Sequence, residues 1–263
     1  MPDWLAIIIL GIIEGITEFL PISSTGHLLL AQQWLPRQSD LFNIFIQSGA
    51  VVAVIPLFPE RMRQLLHCRR DAAARDFTLK ATTAFVITGV GGFILDKLGL
   101  ELPERVLPIA LALLVGGVLF LVAEHWLRGR TLTSEITWTI AVAVGVGQLI
   151  AAVFPGTSRS GATILIMLAF GLTRPAATEF SFIVGIPTML AAGGLKMAKA
   201  LLRPPPGGTQ EDWAMLALGT VVSAVVSFIA VKWLLGFVQT HTFKGFGWYR
   251  IGLGALLLLL LLR

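Results

Sequence analysis

Long apolar runs alternate with short polar punctuation along the chain, and many runs approach the roughly 20 residues that cross a hydrocarbon core of about 30 Å. Apolar segments fall at about 4–20, 27–35, 41–58, 80–98, 105–127, 135–153, 162–171, 176–198, 213–237 and 248–262. Segments 27–35 and 162–171 are too short to cross. Each follows a polar turn, Ser23-Ser24-Thr25-Gly26 and Thr157-Ser158-Arg159-Ser160-Gly161. Apolar helix, polar turn and short apolar helix is the pattern of a re-entrant hairpin, because non-helical backbone at membrane depth is tolerated only when buried in protein or lining a cavity. If both hairpins return to their side of entry, 41–58, 80–98, 105–127, 176–198, 213–237 and 248–262 remain as six crossings.

The two hairpins also resemble each other. Aligning Pro21 with Pro155 sets Gly11 on Gly145, Glu14 on Gln148 and Glu18 on Ala152; one inserted residue then sets Ser23 on Ser158, Thr25 on Ser160 and Gly26 on Gly161. The expected fold is an all-α polytopic membrane protein, one integral membrane domain over 1–263 built as an inverted-topology repeat of about 1–130 and 131–263. Five arginines between Arg61 and Arg75 mark that stretch as cytoplasmic. Arg128, Arg130, Lys244 and Arg250 then share its side, while Lys196, Lys199 and Arg203 fall opposite.

Composition agrees with the pattern: of 263 residues, 56% are hydrophobic and 13% charged, against about 45–50% and about 25% in soluble domains. The net charge of +5 resides in short loops rather than in one basic face, so nucleic acid is not an expected partner. A single cysteine, Cys68, excludes an intramolecular disulfide and offers no structural zinc set. The first apolar stretch is expected to stay as a helix rather than act as a cleaved signal, because it carries Asp3, Glu14 and Glu18.

Those carboxylates begin the chemistry. Glu14 and Glu18, four residues apart, project from one helix face, and acidic groups inside a bilayer cost enough to mark a function. Their chemistry suits either a hard divalent cation held by oxygens or a proton held for acid–base work. Ser23, Ser24 and Thr25 then present three hydroxyls just before His27. Hydroxyl, imidazole and carboxylate are the parts of an activated nucleophile. Ser24 is the leading choice, with Ser23 and Thr25 as alternatives and His27 itself a possible phosphoryl acceptor. In the second motif, Pro155 to Thr163, glycines, the hydroxyls of Ser158, Ser160 and Thr163, and Arg159 stand at a helix start, a combination suited to gripping phosphate oxygens. Glu179 either lines this site or pairs with Arg174, and Gln47 and Gln148 read as structural hydrogen-bonders. The tryptophans read as interfacial anchors.

With Glu14 to Pro21, Ser23 to His27, Pro155 to Thr163, Glu179 to Phe182 and Tyr249-Arg250 in this order, the sequence resembles the undecaprenyl-diphosphate phosphatases of bacterial cell-wall synthesis along nearly its whole length. Gln47-Ser48-Gly49 departs from the Gln-Leu-Gly expected there. The resemblance implies hydrolysis of a C55 isoprenyl diphosphate to the monophosphate carrier, in the bacterial plasma membrane, at a site opening to the outer face. It also implies dependence on a divalent cation, Mg²⁺ or Ca²⁺, an association with bacitracin resistance, and roles for Glu14, Glu18, Ser24, His27 and Arg159. The expected mechanism has Arg159 and its turn hold the diphosphate, Glu14 and Glu18 bind the cation, and Ser24 attack with His27 as base. Direct attack by water is the alternative route, and a polyprenyl-phosphate transporter or flippase the alternative function.

Overall fold

The computed structural model describes residues 2–99, 105–202 and 212–261, so Arg203 lies outside the described residues. Eleven α-helices are described: α1 (Asp3–Thr17), α2 (Ser24–Ala31), α3 (Asp40–Val54, extended by a 3-10 turn to Leu57), α4 (Pro59–His67), α5 (Ala72–Lys97), α6 (Val106–Trp126), α7 (Trp138–Val153), α8 (Arg159–Ala169), α9 (Arg174–Leu202), α10 (Trp213–Thr240) and α11 (Lys244–Leu261). No β-strand occurs among the described residues, only an isolated bridge between Thr133 and Leu172.

Helix starts follow local chemistry. Ser39, Asp71, Thr137 and Asp212 each cap a helix by accepting from first-turn amides, and Pro59 opens α4 where its missing N–H costs nothing. Among the described residues six helices are long and apolar enough to cross a membrane: Asp40–Leu57, Ala72–Lys97, Val106–Trp126, Arg174–Lys199, Trp213–Thr240 and Lys244–Leu261. These are the six expected crossings. At 15 and 16 residues, α1 and α7 reach only about 22–24 Å at 1.5 Å per residue.

Outward faces are apolar, as with Val115, Val118 and Val122 on α6 and Val221, Val225 and Ile229 on α10, whereas Glu14, Glu18, Glu124, Gln148 and Arg250 are buried. Apolar outside and polar inside is the distribution a lipid solvent imposes. The chain is a multi-pass membrane protein.

Packing crosses between the two halves. α1 lies on α10 and α7 on α5; α3 packs on α10 and α9 on α5; α6 pairs with α11 and α3 with α9. Close approach relies on small residues. A β-carbon at Gly15 would stand 2.7 Å from the Ser223 carbonyl oxygen, and one at Gly117 2.6 Å from that of Gly247.

Three features depart from the expected elements. α4 was not anticipated, because its arginine-rich sequence interrupts the apolar pattern. α5 starts at Ala72 rather than near 80, since its first turns carry Arg75, Asp76 and Lys80, and the last two neutralise each other as an ion pair at 2.5 Å. Arg250, assigned above to the cytoplasmic side, is fully buried because α11 begins at Lys244 and carries it into the bundle.

Candidate active site

The site forms where the two polar turns meet. Ser23 and Ser158 both have positive φ, 72° and 68°, a region that non-glycine residues enter only when the surroundings hold them there. Each caps its short helix by accepting from the amide three residues on, Gly26 at 3.3 Å and Gly161 at 3.2 Å. The sharp turn puts the N-termini of α2 and α8 on one cavity of about 170 Å³, lined by Glu18, Ser23, Ser24, Thr25, Gln47, Pro155, Gly156, Ser158 and Arg159. First-turn amides at both ends therefore border the same space, which favours an anion.

Glu18 is its hub. Ser24 Oγ donates to Glu18 Oε2 at 2.7 Å, Gln47 Nε2 donates to the same oxygen at 3.4 Å, and Arg159 Nη2 stands 3.7 Å from Glu18 Oε1. None of the three guanidinium nitrogens of Arg159 has a hydrogen-bond partner among the described residues. The group rests 5.7 Å over the Phe19 ring, and Phe19 stacks edge-on against Phe182, which meets Phe58 in the same way. A desolvated guanidinium with free donors on an aromatic floor is a receptor for phosphate oxygens.

Several anticipated residues take other places. His27 does not reach Ser24: its Nδ1 is 2.7 Å from the Ser23 carbonyl and its Nε2 2.7 Å from the Tyr249 hydroxyl, so the base within reach of Ser24 is Glu18. Ser160 is fully buried and donates to the Leu20 carbonyl, while the Thr163 hydroxyl is held by the Arg159 and Ser160 carbonyls and by Ser181 at 2.6 Å. Both face into the packing rather than the cavity. Glu179 pairs with Arg61 at 2.9 Å, and Arg174 pairs instead with Glu124; residues five apart on a helix diverge by about 140°, which keeps Arg174 and Glu179 apart. Gln148 is structural, donating to Thr88 at 2.9 Å, but Gln47 belongs to the site.

Two site residues entered the sequence reading as part of the family's motifs, with no role at the site given to either. Arg250 donates to the carbonyls of Pro21 (3.1 Å), Ala112 (3.1 Å), Gly156 (3.2 Å) and Thr157 (3.0 Å), tying the first polar turn to the second. Tyr249 meets His27. The usable signal was an arginine within an apolar helix, whose burial in a bilayer is costly unless it has a task.

No group of three or more His, Cys, Asp or Glu gathers to hold a metal among the described residues. Glu14 is 2% exposed, and its Oε2 has no hydrogen-bond partner. An orphaned carboxylate oxygen beside Glu18 suits a hard cation that draws its remaining ligands from water and substrate phosphates, as Mg²⁺ commonly does.

The family model described as "Bacitracin resistance protein BacA" matches residues 7–256. A protein of Rhizobium etli named undecaprenyl-diphosphatase is 51% identical over 257 residues, covering 97% of this chain and 96% of that protein. One of the same name from Xanthomonas axonopodis pv. citri is 48% identical over 260 residues, covering 98% and 97%. With a match of that extent to the family model and relatives near half identity along nearly their full length, the chain belongs to the bacitracin resistance protein BacA family.

Proposed function

We propose that the protein is an undecaprenyl-diphosphate phosphatase that releases inorganic phosphate from the lipid diphosphate and so regenerates the monophosphate carrier for peptidoglycan synthesis. The relatives' shared name and the family match support the activity. One observation supports the placement of its site: the Arg159 guanidinium, with no hydrogen-bond partner and 3.7 Å from Glu18, lines the same cavity as the Glu18–Ser24 hydrogen bond, bordered by two helix N-termini.

In this reading the terminal phosphoryl group lies between Arg159 and Ser24, with Ser158, Ser23 and Thr25 along the wall. Ser24 Oγ attacks phosphorus, its proton passes to Glu18, and the P–O bond to the bridging oxygen breaks, so the lipid leaves as its monophosphate. Glu18 passes that proton to the departing lipid monophosphate; water then cleaves the phosphoseryl ester, with Glu18 accepting the water's proton and returning it to Ser24 Oγ as inorganic phosphate leaves. Direct attack by a water activated by Glu18 uses the same groups. Arg159 and the turn amides stabilise the charge that develops on the equatorial oxygens, which is most of what phosphoryl-transfer catalysis requires. His27 holds the Ser23 turn rather than deprotonating Ser24. Glu14 and Glu18 would hold the divalent cation, which supplies charge neutralisation when bound.

The architecture proposed for this chemistry is a single domain of two inverted repeats, each contributing one re-entrant hairpin. Support comes from the matched positive-φ serine caps and from the exchange of packing in which α1 lies on α10 and α7 on α5. With the arginine-rich α4 region in the cytoplasm, α1 and α7 enter from opposite sides and the site opens outward, toward the face where the lipid diphosphate is liberated.

Phosphate release from purified undecaprenyl diphosphate tests the function. Release that stops with chelator and returns with Mg²⁺ or Ca²⁺ is the expected result. A folded, cation-supplied protein that releases no phosphate would overturn it.

A further inference from the structure

We infer that Tyr249 is a positioning residue for the phosphoryl transfer: its hydroxyl holds the His27 imidazole in place and, through His27, fixes the carbonyl of the Ser23 turn from which Ser24 departs. The inference rests on the phosphatase reading of this site.

The hydrogen bonds leave one assignment for neutral His27. Its Nδ1 lies 2.7 Å from the Ser23 carbonyl oxygen, which only accepts, so Nδ1 carries the hydrogen. Nε2 is then the acceptor, and the Tyr249 hydroxyl at 2.7 Å is its donor. The rings run parallel within 2° at 5.6 Å between centroids, so α11 sets the plane of the imidazole while the Ser23 carbonyl sets its proton.

The turn needs such a hold. Ser23 sits at φ 72°, a conformation that persists only where contacts over-determine it. Its carbonyl receives the His27 ring N–H and, at 3.4 Å, the His27 amide. Two residues earlier, Arg250 grips the Pro21 carbonyl at 3.1 Å. Adjacent residues of α11 thus secure both ends of the 21–23 turn, and Ser24, whose Oγ meets Glu18 at 2.7 Å, is the next residue out. Without the phenol, Nδ1 keeps its hydrogen but the ring loses the contact that holds its far edge. A ring free to turn about its Cβ–Cγ bond draws Nδ1–H off the Ser23 carbonyl, and the turn is loosened.

Tyr249→Phe keeps the ring and deletes the donor. Expected is a fall in kcat of roughly 3–10-fold, the worth of one hydrogen bond, with KM and the melting temperature in detergent unchanged. Placed on His27→Gln, it should add no further loss, because its effect passes through the imidazole. In protein labelled with ¹⁵N histidine, with the His27 signal identified by its absence in His27→Gln, the Nδ1–H should exchange slowly with water in the wild type and faster in Tyr249→Phe. Full kcat in Tyr249→Phe, an equal fold-loss on the His27→Gln background, or an unchanged Nδ1–H exchange rate would each overturn the inference. The exchange is read without turnover, so absent phosphate release in the wild type would sink the phosphatase reading while leaving the Tyr249–His27 link to be judged by its own signal.

Discussion

Replacing Gly185 with alanine adds one methyl group to the face of α9 against which the Arg159 guanidinium lies. A β-carbon there would overlap Nη1 of Arg159 and stand 2.5 Å from its Cζ, where ordinary contact is 3.4–4 Å, so the head group must retreat by about 1–2 Å. The atoms struck are the far end of a flexible side chain rather than backbone, which lets the fold absorb the change. Alanine in a helix interior is favoured over glycine by about 0.5–1 kcal/mol, so the melting temperature in detergent should hold or rise. Catalysis should not: misplacing a positioning group by about 1 Å costs on the order of 100-fold, or about 2.7 kcal/mol of transition-state stabilisation. Phosphate release at subsaturating lipid diphosphate measures kcat/KM directly. Gly194→Ala on the same helix, where a β-carbon meets nothing within 4 Å, is the control and should keep full activity. A well-folded Gly185→Ala enzyme with wild-type kcat/KM would show that Arg159 does not act from where it lies.

Three further outcomes follow from the same geometry. Ser24→Ala should lower kcat by at least 100-fold if the hydroxyl is the nucleophile; near-normal turnover would leave only water activated by Glu18. Arg159→Lys keeps the charge but loses the fork of donors, so phosphate release should fall by a factor of about 10–100, and unchanged release would remove Arg159 from the binding role. Arg250→Lys cannot reach the four carbonyls that the guanidinium binds; losing two such charged hydrogen bonds costs about 3 kcal/mol or more, visible as a lower melting temperature together with lower kcat.

The crossings were legible because lipid imposes a simple rule on run length, and the six long helices fall on the six apolar runs. Glu14, Glu18 and Arg159 were legible for the complementary reason, that charge in such surroundings must have a task. What sequence could not supply was direction. Ser24 and His27 lie one turn apart on α2, yet Ser24 opens the helix and turns back to Glu18 while His27 points to α11. Arg250 was lost through a boundary: reading α11 from 248 leaves it near a loop, whereas a start at Lys244 puts it more than a turn inside. Gln47 and Glu179 failed for want of partners from distant helices, since Glu18 and Arg61 meet them only after the bundle closes.

Glu18 joins binding to chemistry. As the side chains lie, it is the counter-charge nearest to Arg159, at 3.7 Å, and it accepts from Ser24 and Gln47. Its negative charge lowers the cost of burying the guanidinium. An entering diphosphate offers Arg159 better acceptors than a carboxylate at that distance, so the arginine turns to phosphate and Glu18 is left facing the Ser24 proton. Glu18→Gln separates the two roles: with no carboxylate competing for Arg159, lipid diphosphate in cation-free buffer should bind at least as tightly as to the wild type, while kcat falls by roughly 10²–10⁴ for want of a proton acceptor. Equilibrium binding of the diphosphate and single-turnover phosphate release read the two effects independently. A variant whose affinity falls in step with its rate would place Glu18 in substrate binding and take away its part as base.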